Sequence, residues 1–300
     1  GGARPFSRPA GYPPEPCGQG NPGRFHTGAS PVCRLEPVVG REMFRMTYRL
    51  VRRLAAFGVM GLGGLPGGVA MAQGLPGGFV YLRDLDPGIV QDMRYATTNN
   101  FVGRVLDGYE AGECIVTRKV GLALKQVQQD LKPRGLSLKV YDCYRPQRAV
   151  EDMYAWAQDG NETAAQHRYN PKMRKADLFK LGYIARRPGH ATGKAVDLTL
   201  VQLPLKRAAP FDPRADYGDC TADVSRRAPD NSVDMGTGYD CSDERAHTAS
   251  RAIAPRQRRW REILVAAMAR RGFVNYRLEW WHFSLPGTGR DAYDFPIARR

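Results

Sequence analysis

The chain has 300 residues and a formal net charge of +15, with 42% hydrophobic and 25% charged residues. These proportions are ordinary for a globular protein, although a basic surface of this kind could attract nucleic acid, anionic lipid or an anionic polymer. After residue 73 there is no zinc-finger spacing, no RNP-like strand and no basic run with interleaved aromatic residues. We therefore expect a solvated basic surface and no nucleic-acid partner.

The first 72 residues differ in character from the rest. Residues 1–45 are rich in Gly, Pro and Arg and lack periodicity, which predicts a disordered N-terminal extension or sequence upstream of the true start. Residues 46–72 combine arginines at 49, 52 and 53, an apolar stretch at 54–69 and the A-x-A pattern ending at Ala72, which is typical of a signal peptide. A membrane anchor is the alternative, but the repeated Gly and Pro66 disfavour a spanning helix.

The signal peptide predicts an exported protein, cleaved after Ala72 and without a stable membrane anchor. In a Gram-negative cell this places the mature chain, from Gln73, in the periplasm. An oxidising compartment favours disulfides over free thiols. The four cysteines of the mature chain permit three pairings, and no C-x-x-C spacing suggests a cysteine zinc site. We expect Cys114–Cys143 and Cys220–Cys241, because each pair brackets one segment of the candidate site described below.

Residues 73–300 are predicted to form a single domain. Apolar periodicity and the positions of Gly and Pro predict helices at 116–131, 146–156 and 256–271, and strands at 136–141, 195–200, 273–277 and 280–285. The stretch 202–255 has little periodicity, but its two cysteines indicate an ordered loop. Helices and strands do not alternate regularly, so we expect an α+β domain with a mostly antiparallel sheet and flanking helices.

His190 and Asp197 are the first candidate site residues. Gly193 lies between them and allows the backbone to bend sharply, which would bring the imidazole close to the carboxylate. The flanking residues Val196 and Leu198 place Asp197 on an apolar strand, where a carboxylate needs a partner or a metal ion. A structural Asp–His hydrogen bond is the alternative to a metal site.

Glu279 and His282 stand in a Glu-Trp-Trp-His segment where a strand is expected. Aromatic surroundings lower the dielectric and raise the pKa of a Glu toward the range that a general base needs. With His190 and Asp197, His282 would complete three zinc ligands and leave one position open, as hydrolytic zinc sites require. Core packing of the two Trp side chains is the alternative interpretation of this segment.

Arg145 follows the predicted strand at 136–141 and precedes a helix. A fixed positive charge at this junction could stabilise a developing oxyanion by about 3–4 kcal/mol, if it acts like one oxyanion-hole donor. A surface ion pair between Arg145 and Asp142 is the alternative.

Five segments occur in an order that resembles the D-alanyl-D-alanine dipeptidase family. They are RYATTNNF at 94–101, YDCYRP at 141–146, HATGKAVDLTL at 190–200, DMGTGYDCSDER at 234–245 and EWWHF at 279–283. The resemblance covers nearly all of the chain after residue 73. It implies a small α+β zinc-peptidase fold, shared with D,D-carboxypeptidases, and one zinc ion per chain.

The resemblance also implies a role for each motif residue. The implied roles are zinc ligation by His190, Asp197 and His282, proton abstraction from water by Glu279, stabilisation of the tetrahedral intermediate by Arg145, and binding of the substrate ammonium group by Tyr95 and Asp240. Family members often carry Ser immediately before the first zinc His, where it contributes to carboxylate recognition. This chain has Pro188 and Gly189 there, so its recognition of the substrate carboxylate must differ from that of those family members.

The implied function is hydrolysis of D-Ala-D-Ala to two D-alanines, in cell-wall turnover, nutrient recovery or glycopeptide resistance. One alternative is a zinc D,D-carboxypeptidase acting on longer peptidoglycan stem peptides, with the loop at 202–255 deciding access. Another is a non-enzymatic cell-wall binding module with a structural zinc ion. The presence of Glu279 and Arg145 disfavours the module, because a structural zinc site needs neither.

Overall fold

The computed structural model describes residues 74–287 and 291–300 of the chain. The predicted extension at 1–45 and the predicted signal peptide at 46–72 lie outside the described residues, and these boundaries stay predictions. Within the described ranges, no helix combines the length and the apolar character needed to cross a membrane.

The described ranges contain short strands and helices joined by long connections. The strands are β1 (Phe79–Tyr81), β2 (Val90–Gln91), β3 (Ile115–Thr117), β4 (Leu136–Asp142), β5 (Ala195–Gln202), β6 (Val274–Asn275) and β7 (His282–Ser284). The α-helices are α1 (Leu82–Leu85), α2 (Arg118–Leu131), α3 (Gln147–Gln158), α4 (Ala164–Tyr169), α5 (Leu178–Leu181) and α6 (Pro255–Ala269).

A five-stranded sheet forms the centre of the fold, in the order β2-β4-β5-β7-β6. The β2–β4 pair is parallel, and the other three pairs are antiparallel. Strands β1 and β3 form a separate antiparallel pair. Apolar side chains of α2 and α6, including Leu124, Leu131 and Leu264, pack with the sheet in one core cluster. The predicted α+β class with a mostly antiparallel sheet is therefore confirmed.

Strand β4 is buried along its whole length, although apolar and polar residues alternate in it, a pattern typical of a half-buried strand. The residues at 202–255 explain the difference, because they cover the polar face of β4. Lys139 is only 2% exposed, and its Nζ lies 3.0 Å from Asp230 and 2.9 Å from Asp92. The ring of Tyr141 stacks on that of Tyr239 at 4.5 Å. A buried cation on a central strand is tolerated here because two carboxylates compensate it.

Three predicted boundaries are wrong in ways that affect the site. Residues 115–117 form β3, so α2 begins at Arg118 and not at residue 116. Pro146 keeps an extended conformation before α3, which begins at Gln147. Residues 280 and 281 are not in a strand, because the backbone N–H of Trp280 donates to the carbonyl of Ala246 and not to a neighbouring strand. Glu279 therefore lies in the turn between β6 and β7.

Both expected disulfides are present, with Cα–Cα distances of 5.3 Å for Cys114–Cys143 and 5.5 Å for Cys220–Cys241. The first joins the residue before β3 to the residue after β4. The second joins two points of the stretch 202–255, which is ordered as expected although it holds only one short 3-10 turn, Glu244–Ala246.

Gly193 offers a direct test of how the turn before β5 is built. Its φ is +67°, and a Cβ built there would lie 2.3 Å from a ring carbon of Phe79. Gly135 has nearly the same conformation, with φ +68°, and no atom within 4 Å of its Cβ position. We expect Gly135→Ala to lower the free energy of unfolding by about 1–2 kcal/mol through backbone conformation alone.

We expect Gly193→Ala to add roughly 1–3 kcal/mol to that loss, because a crowded core must rearrange. Chemical denaturation of both variants measures the difference. Equal losses in the two variants would show that the close approach of Phe79 does not constrain the turn.

Candidate active site

The register of the central sheet places three polar residues in one row. Asp142 of β4 is the Cα partner of Asp197 of β5, and Asp197 is the Cα partner of His282 of β7. Directly paired residues on neighbouring strands project their side chains from the same face of a sheet. The row therefore presents two carboxylates and an imidazole on one face.

His190 joins this row from the short 3-10 turn Gly189–Thr192, which immediately precedes β5. Its Nε2 lies 3.2 Å from Oδ1 of Asp197 and 3.1 Å from Nδ1 of His282. The distance between His282 Nδ1 and Asp197 Oδ1 is 3.0 Å. Three potential ligand atoms thus form a nearly equilateral triangle beside the middle strand of the sheet.

The chemistry and spacing of this triangle fit a divalent metal ion. Two imidazoles and a carboxylate are typical zinc ligands, and tetrahedral zinc with bonds of 2.0–2.1 Å would separate its ligand atoms by about 3.3 Å. The ring Nδ1 of His190 lies 2.6 Å from the carbonyl oxygen of Cys143, to which it donates, so its Nε2 keeps a free lone pair. The alternative of a structural hydrogen bond between Asp197 and His190 does not explain why Nδ1 of His282 lies at the same point.

The carboxylate of Asp197 is held in its ionised form. Burial opposes ionisation, but the adjacent imidazoles of His190 and His282 outweigh it and hold the pKa of Asp197 well below its ordinary value. The second carboxylate oxygen accepts a hydrogen bond of 3.0 Å from the hydroxyl of Tyr239. Sequence analysis did not assign a role to Tyr239, although it stands immediately before the candidate residue Asp240.

Arg145 is fixed beside the row by Asp142. Its Nε and Nη2 each lie 2.9 Å from Oδ2 of Asp142, and Nη2 lies 3.7 Å from Asp197. The hydroxyl of Tyr109 donates to the other oxygen of Asp142 at 2.7 Å. The alternative ion pair between Arg145 and Asp142 is therefore real, but it is buried and not on the surface. It holds a positive charge 4.8 Å over the ring of Tyr95.

Glu279 lies next to the triangle, with its Oε2 3.8 Å from Nδ1 of His282. The tight turn that carries it brings positions 279 and 282 to the same side. Glu279 is 8% exposed, and burial together with the nearby carboxylates of Asp197 and Asp240 raises the pKa of Glu279 well above its ordinary value. A carboxyl group in this setting has the proton affinity that general base catalysis needs.

Tyr95 and Asp240 form a second polar group at the site. The hydroxyl of Tyr95 donates to Oδ2 of Asp240 at 2.8 Å. Burial and the charge of Asp197 raise the pKa of Asp240 to about 7. The backbone of Asp240 has a φ of +58°, an uncommon conformation for a residue other than Gly. This carboxyl group can provide a negative charge for a cationic part of a ligand.

Most of these side chains line one cleft of about 230 Å³. The cleft brings together the seven residues that the sequence motifs singled out: Tyr95, Arg145, His190, Asp197, Asp240, Glu279 and His282. Other parts of the wall were not predicted from the sequence, among them Tyr183, Arg187 and Tyr276. Residues 182–187 carry no motif that could have indicated their position.

A buried His–Asp–His set with a carboxyl group beside it is the arrangement of a metal-dependent hydrolase. Comparison with known proteins agrees with this class. Residues 76–210 and 218–299 match the peptidase family M15, described as D-ala-D-ala dipeptidase. The chain therefore belongs to the D-Ala-D-Ala dipeptidase family and is a peptidase.

Three relatives, each named D-alanyl-D-alanine dipeptidase, are similar over most of their length. The protein from Streptomyces coelicolor is 34% identical over 222 residues, which are 73% of this chain and 98% of the relative. The protein from Enterococcus faecalis is 33% identical over 207 residues, or 69% and 91%. The protein from Enterococcus faecium is 31% identical over 221 residues, or 73% and 98%.

The triangle predicts one divalent metal ion per chain. We expect His282→Ala to weaken metal binding by more than about hundredfold, because loss of a supporting group alone weakens it 10–100-fold. Because His167 is an exposed side chain paired with Glu162, His167→Ala serves as the control and should bind metal like the wild type. Elemental analysis after dialysis, and the rise in melting temperature on adding metal, measure the effect. Undiminished binding by His282→Ala would contradict the assignment.

Proposed function

We propose that the protein is a zinc-dependent dipeptidase that hydrolyses free D-Ala-D-Ala to two D-alanines. The observation that carries the proposal is the convergence of the His190–Asp197–His282 triangle, Glu279 and Arg145 in one small cleft. The relatives' names support the substrate, and the choice of two imidazoles and a carboxylate supports zinc.

A zinc ion held by the triangle would supply a Lewis acid that polarises the scissile carbonyl. Glu279 takes a proton from the attacking water and delivers it to the nitrogen of the leaving amine. Its buried position supports both steps, since a raised pKa makes the carboxylate a better base and lets it hold the proton until it is transferred.

Arg145 stabilises the negative charge that develops on the carbonyl oxygen. The ion pair with Asp142 holds its guanidinium in place before substrate binds, so little reorganisation accompanies the reaction. The ring of Tyr95 beneath the guanidinium restricts it further. The guanidinium of Arg145 is thus held facing the cleft before substrate binds.

Asp240 and Tyr95 bind the ammonium group of the dipeptide. This assignment favours a free dipeptide over a stem peptide, because the corresponding nitrogen of a longer peptide is a neutral amide. Binding such a peptide would leave the carboxylate of Asp240 without a cationic partner in a site that already disfavours its charge.

We also propose that the protein is exported, with the signal peptide at 46–72 removed after Ala72 and the domain at 73–300 acting in the periplasm. The two disulfides support an oxidising compartment. No stable membrane anchor is proposed for the mature chain. The proposed roles are cell-wall turnover, nutrient recovery or glycopeptide resistance.

Loss of the general base should abolish most of the activity. We expect Glu279→Gln to lower kcat for D-Ala-D-Ala by about 10²–10⁴-fold with metal binding retained. Glu262→Gln, on the exposed face of α6, is the matched control and should leave kcat unchanged.

The same assay separates the alternative functions. We expect hydrolysis of D-Ala-D-Ala, little hydrolysis of the L,L and mixed dipeptides, and none of a pentapeptide ending in D-Ala-D-Ala. A preference for the pentapeptide would indicate a D,D-carboxypeptidase. Metal binding without hydrolysis of any of these peptides would indicate a binding module.

The ammonium site predicts a pH dependence in KM. Because the pKa of Asp240 is about 7, its carboxylate becomes protonated as the pH falls from 8 to 6. The substrate's α-amino group, with a pKa of about 8, is increasingly protonated over that range. We therefore expect the wild-type KM for D-Ala-D-Ala to rise about fivefold at the acid end, because a roughly tenfold loss of the carboxylate outweighs a roughly twofold gain of the ammonium form.

Asp240→Asn should have a high KM at pH 8 and little change down to pH 6. Steady-state kinetics at several pH values measure both effects. A wild-type KM that stays flat, or an unchanged pH profile in Asp240→Asn, would remove Asp240 from the ammonium site.

A further inference from the structure

A free dipeptide carries a carboxylate as well as an ammonium group, and the proposed function leaves the carboxylate without a partner. We propose that Arg187 binds this carboxylate and so selects substrates with a free C-terminus. The inference rests on the proposed function. Its physical basis is the distribution of positive charge around the cleft.

Two cationic side chains, Arg145 and Arg187, line the cleft in the described part of the chain. Arg145 is already paired with Asp142 and is placed to act on the scissile carbonyl. Arg187 is exposed and makes no hydrogen bond or ion pair with any residue in the described ranges. Its guanidinium therefore keeps all five donors available for a ligand.

The two residues that follow Arg187 have no side-chain donor. Pro188 and Gly189 separate it from His190, and neither has a side chain with a hydroxyl or an amide group. A Cβ at Gly189 would lie 3.1 Å from Cβ of Ala195 and 3.3 Å from Oγ of Ser284. This crowding disfavours a serine at position 189. The long side chain of Arg187 can supply a donor from a neighbouring position in its place.

The position of Arg187 matches the length of the substrate. It precedes the ligand His190 by three residues, so its Cα lies within about 10 Å of that of His190 even for extended backbone. The carboxylate carbon of the dipeptide lies one residue beyond the scissile carbonyl, and successive Cα atoms are about 3.8 Å apart. A side chain that starts near the first ligand can therefore contact a carboxylate one residue from the metal.

Asp240 and Arg187 also border different neighbouring cavities. Asp240 shares a small inner recess with Glu279 and Trp281, and Arg187 does not line that recess. Arg187 borders a surface groove with Gln147, and Asp240 does not line that groove. The cleft thus offers a negative group toward its inner side and a positive group toward its outer side, which complements a dipeptide that carries an ammonium group at one end and a carboxylate at the other.

The expected effect follows from the chemistry of the contact. A charge-assisted hydrogen bond between guanidinium and carboxylate strengthens binding by about 10–100-fold. We expect Arg187→Ala to raise KM for D-Ala-D-Ala by that factor while kcat changes less than about threefold, because the contact is distant from the reacting atoms. The KM of Arg187→Lys should fall between those of the wild type and Arg187→Ala, because an ammonium group cannot bind a carboxylate in a bidentate manner.

Arg186→Ala is the matched control. Arg186 is the adjacent exposed arginine, but it does not line the cleft, and its guanidinium lies 3.3 Å from the ring centre of Tyr154. The two variants lose the same charge at neighbouring positions. Only Arg187→Ala should raise KM.

The test compares D-Ala-D-Ala with D-Ala-D-alaninamide, in which the carboxylate is replaced by a neutral amide. Wild type and Arg186→Ala should prefer the free acid by about 10–100-fold in kcat/KM, and Arg187→Ala should lose this preference. Calorimetric binding of D-Ala-D-Ala to the metal-loaded Glu279→Gln variant, with and without Arg187→Ala, gives the same comparison without turnover.

The outcomes separate this inference from the proposed function. If wild type hydrolyses D-Ala-D-Ala but Arg187→Ala behaves like Arg186→Ala, the role of Arg187 is refuted and the proposed function stands. The same holds if wild type hydrolyses the amide as well as the acid. If wild type hydrolyses no dipeptide at all, the proposed function itself fails, and the inference fails with it.

Discussion

The site depends on the burial of the Asp197 carboxylate, which is 2% exposed. An ionised carboxylate in this position is costly unless other groups compensate it. Compensation comes from His190, His282, Tyr239 and Arg145, which belong to four separate parts of the chain. Because each of them contacts the same carboxylate, the packing that forms the core also assembles the ligand set.

A second buried carboxylate explains the position of Arg145. Asp142 stands beside Asp197 in the sheet, and two like charges on neighbouring strands would repel each other. The guanidinium of Arg145 contacts both and relieves this repulsion. Arg145 therefore serves its structural role and its proposed catalytic role through one charge. The guanidinium that neutralises the two carboxylates also faces the cleft.

Local patterns in the sequence predicted the fold class and most of the long elements. Helices α2 and α6 and strands β4 and β5, all close to their predicted positions, contribute buried residues to the core. The burial of Lys139 was not predictable in this way, because its partners Asp92 and Asp230 are distant in the chain. The turn at Glu279 was missed because the aromatic residues that follow it suit a strand, and the decisive hydrogen bond involves Ala246.

The motifs indicated the seven candidate residues of the site, but not how they meet. Their convergence depends on the register of β4, β5 and β7, which is a relation between distant segments. Tyr239 stands within a motif but had no role assigned to it, and Arg187 lies outside the five motifs. The position of Arg187 in the wall of the cleft depends on the path of the backbone, which no local pattern indicates.

The Cys114–Cys143 disulfide has a consequence beyond the covalent link between β3 and β4. The carbonyl of Cys143 fixes the orientation of the His190 imidazole, so the bridge anchors the backbone atom that orients one of the two imidazole nitrogens of the triangle. A chain whose thiols stayed reduced would keep every coordinating side chain but lose this mechanical support. Affinity for a metal ion at the triangle would thereby be coupled to the redox environment in which the polypeptide matures.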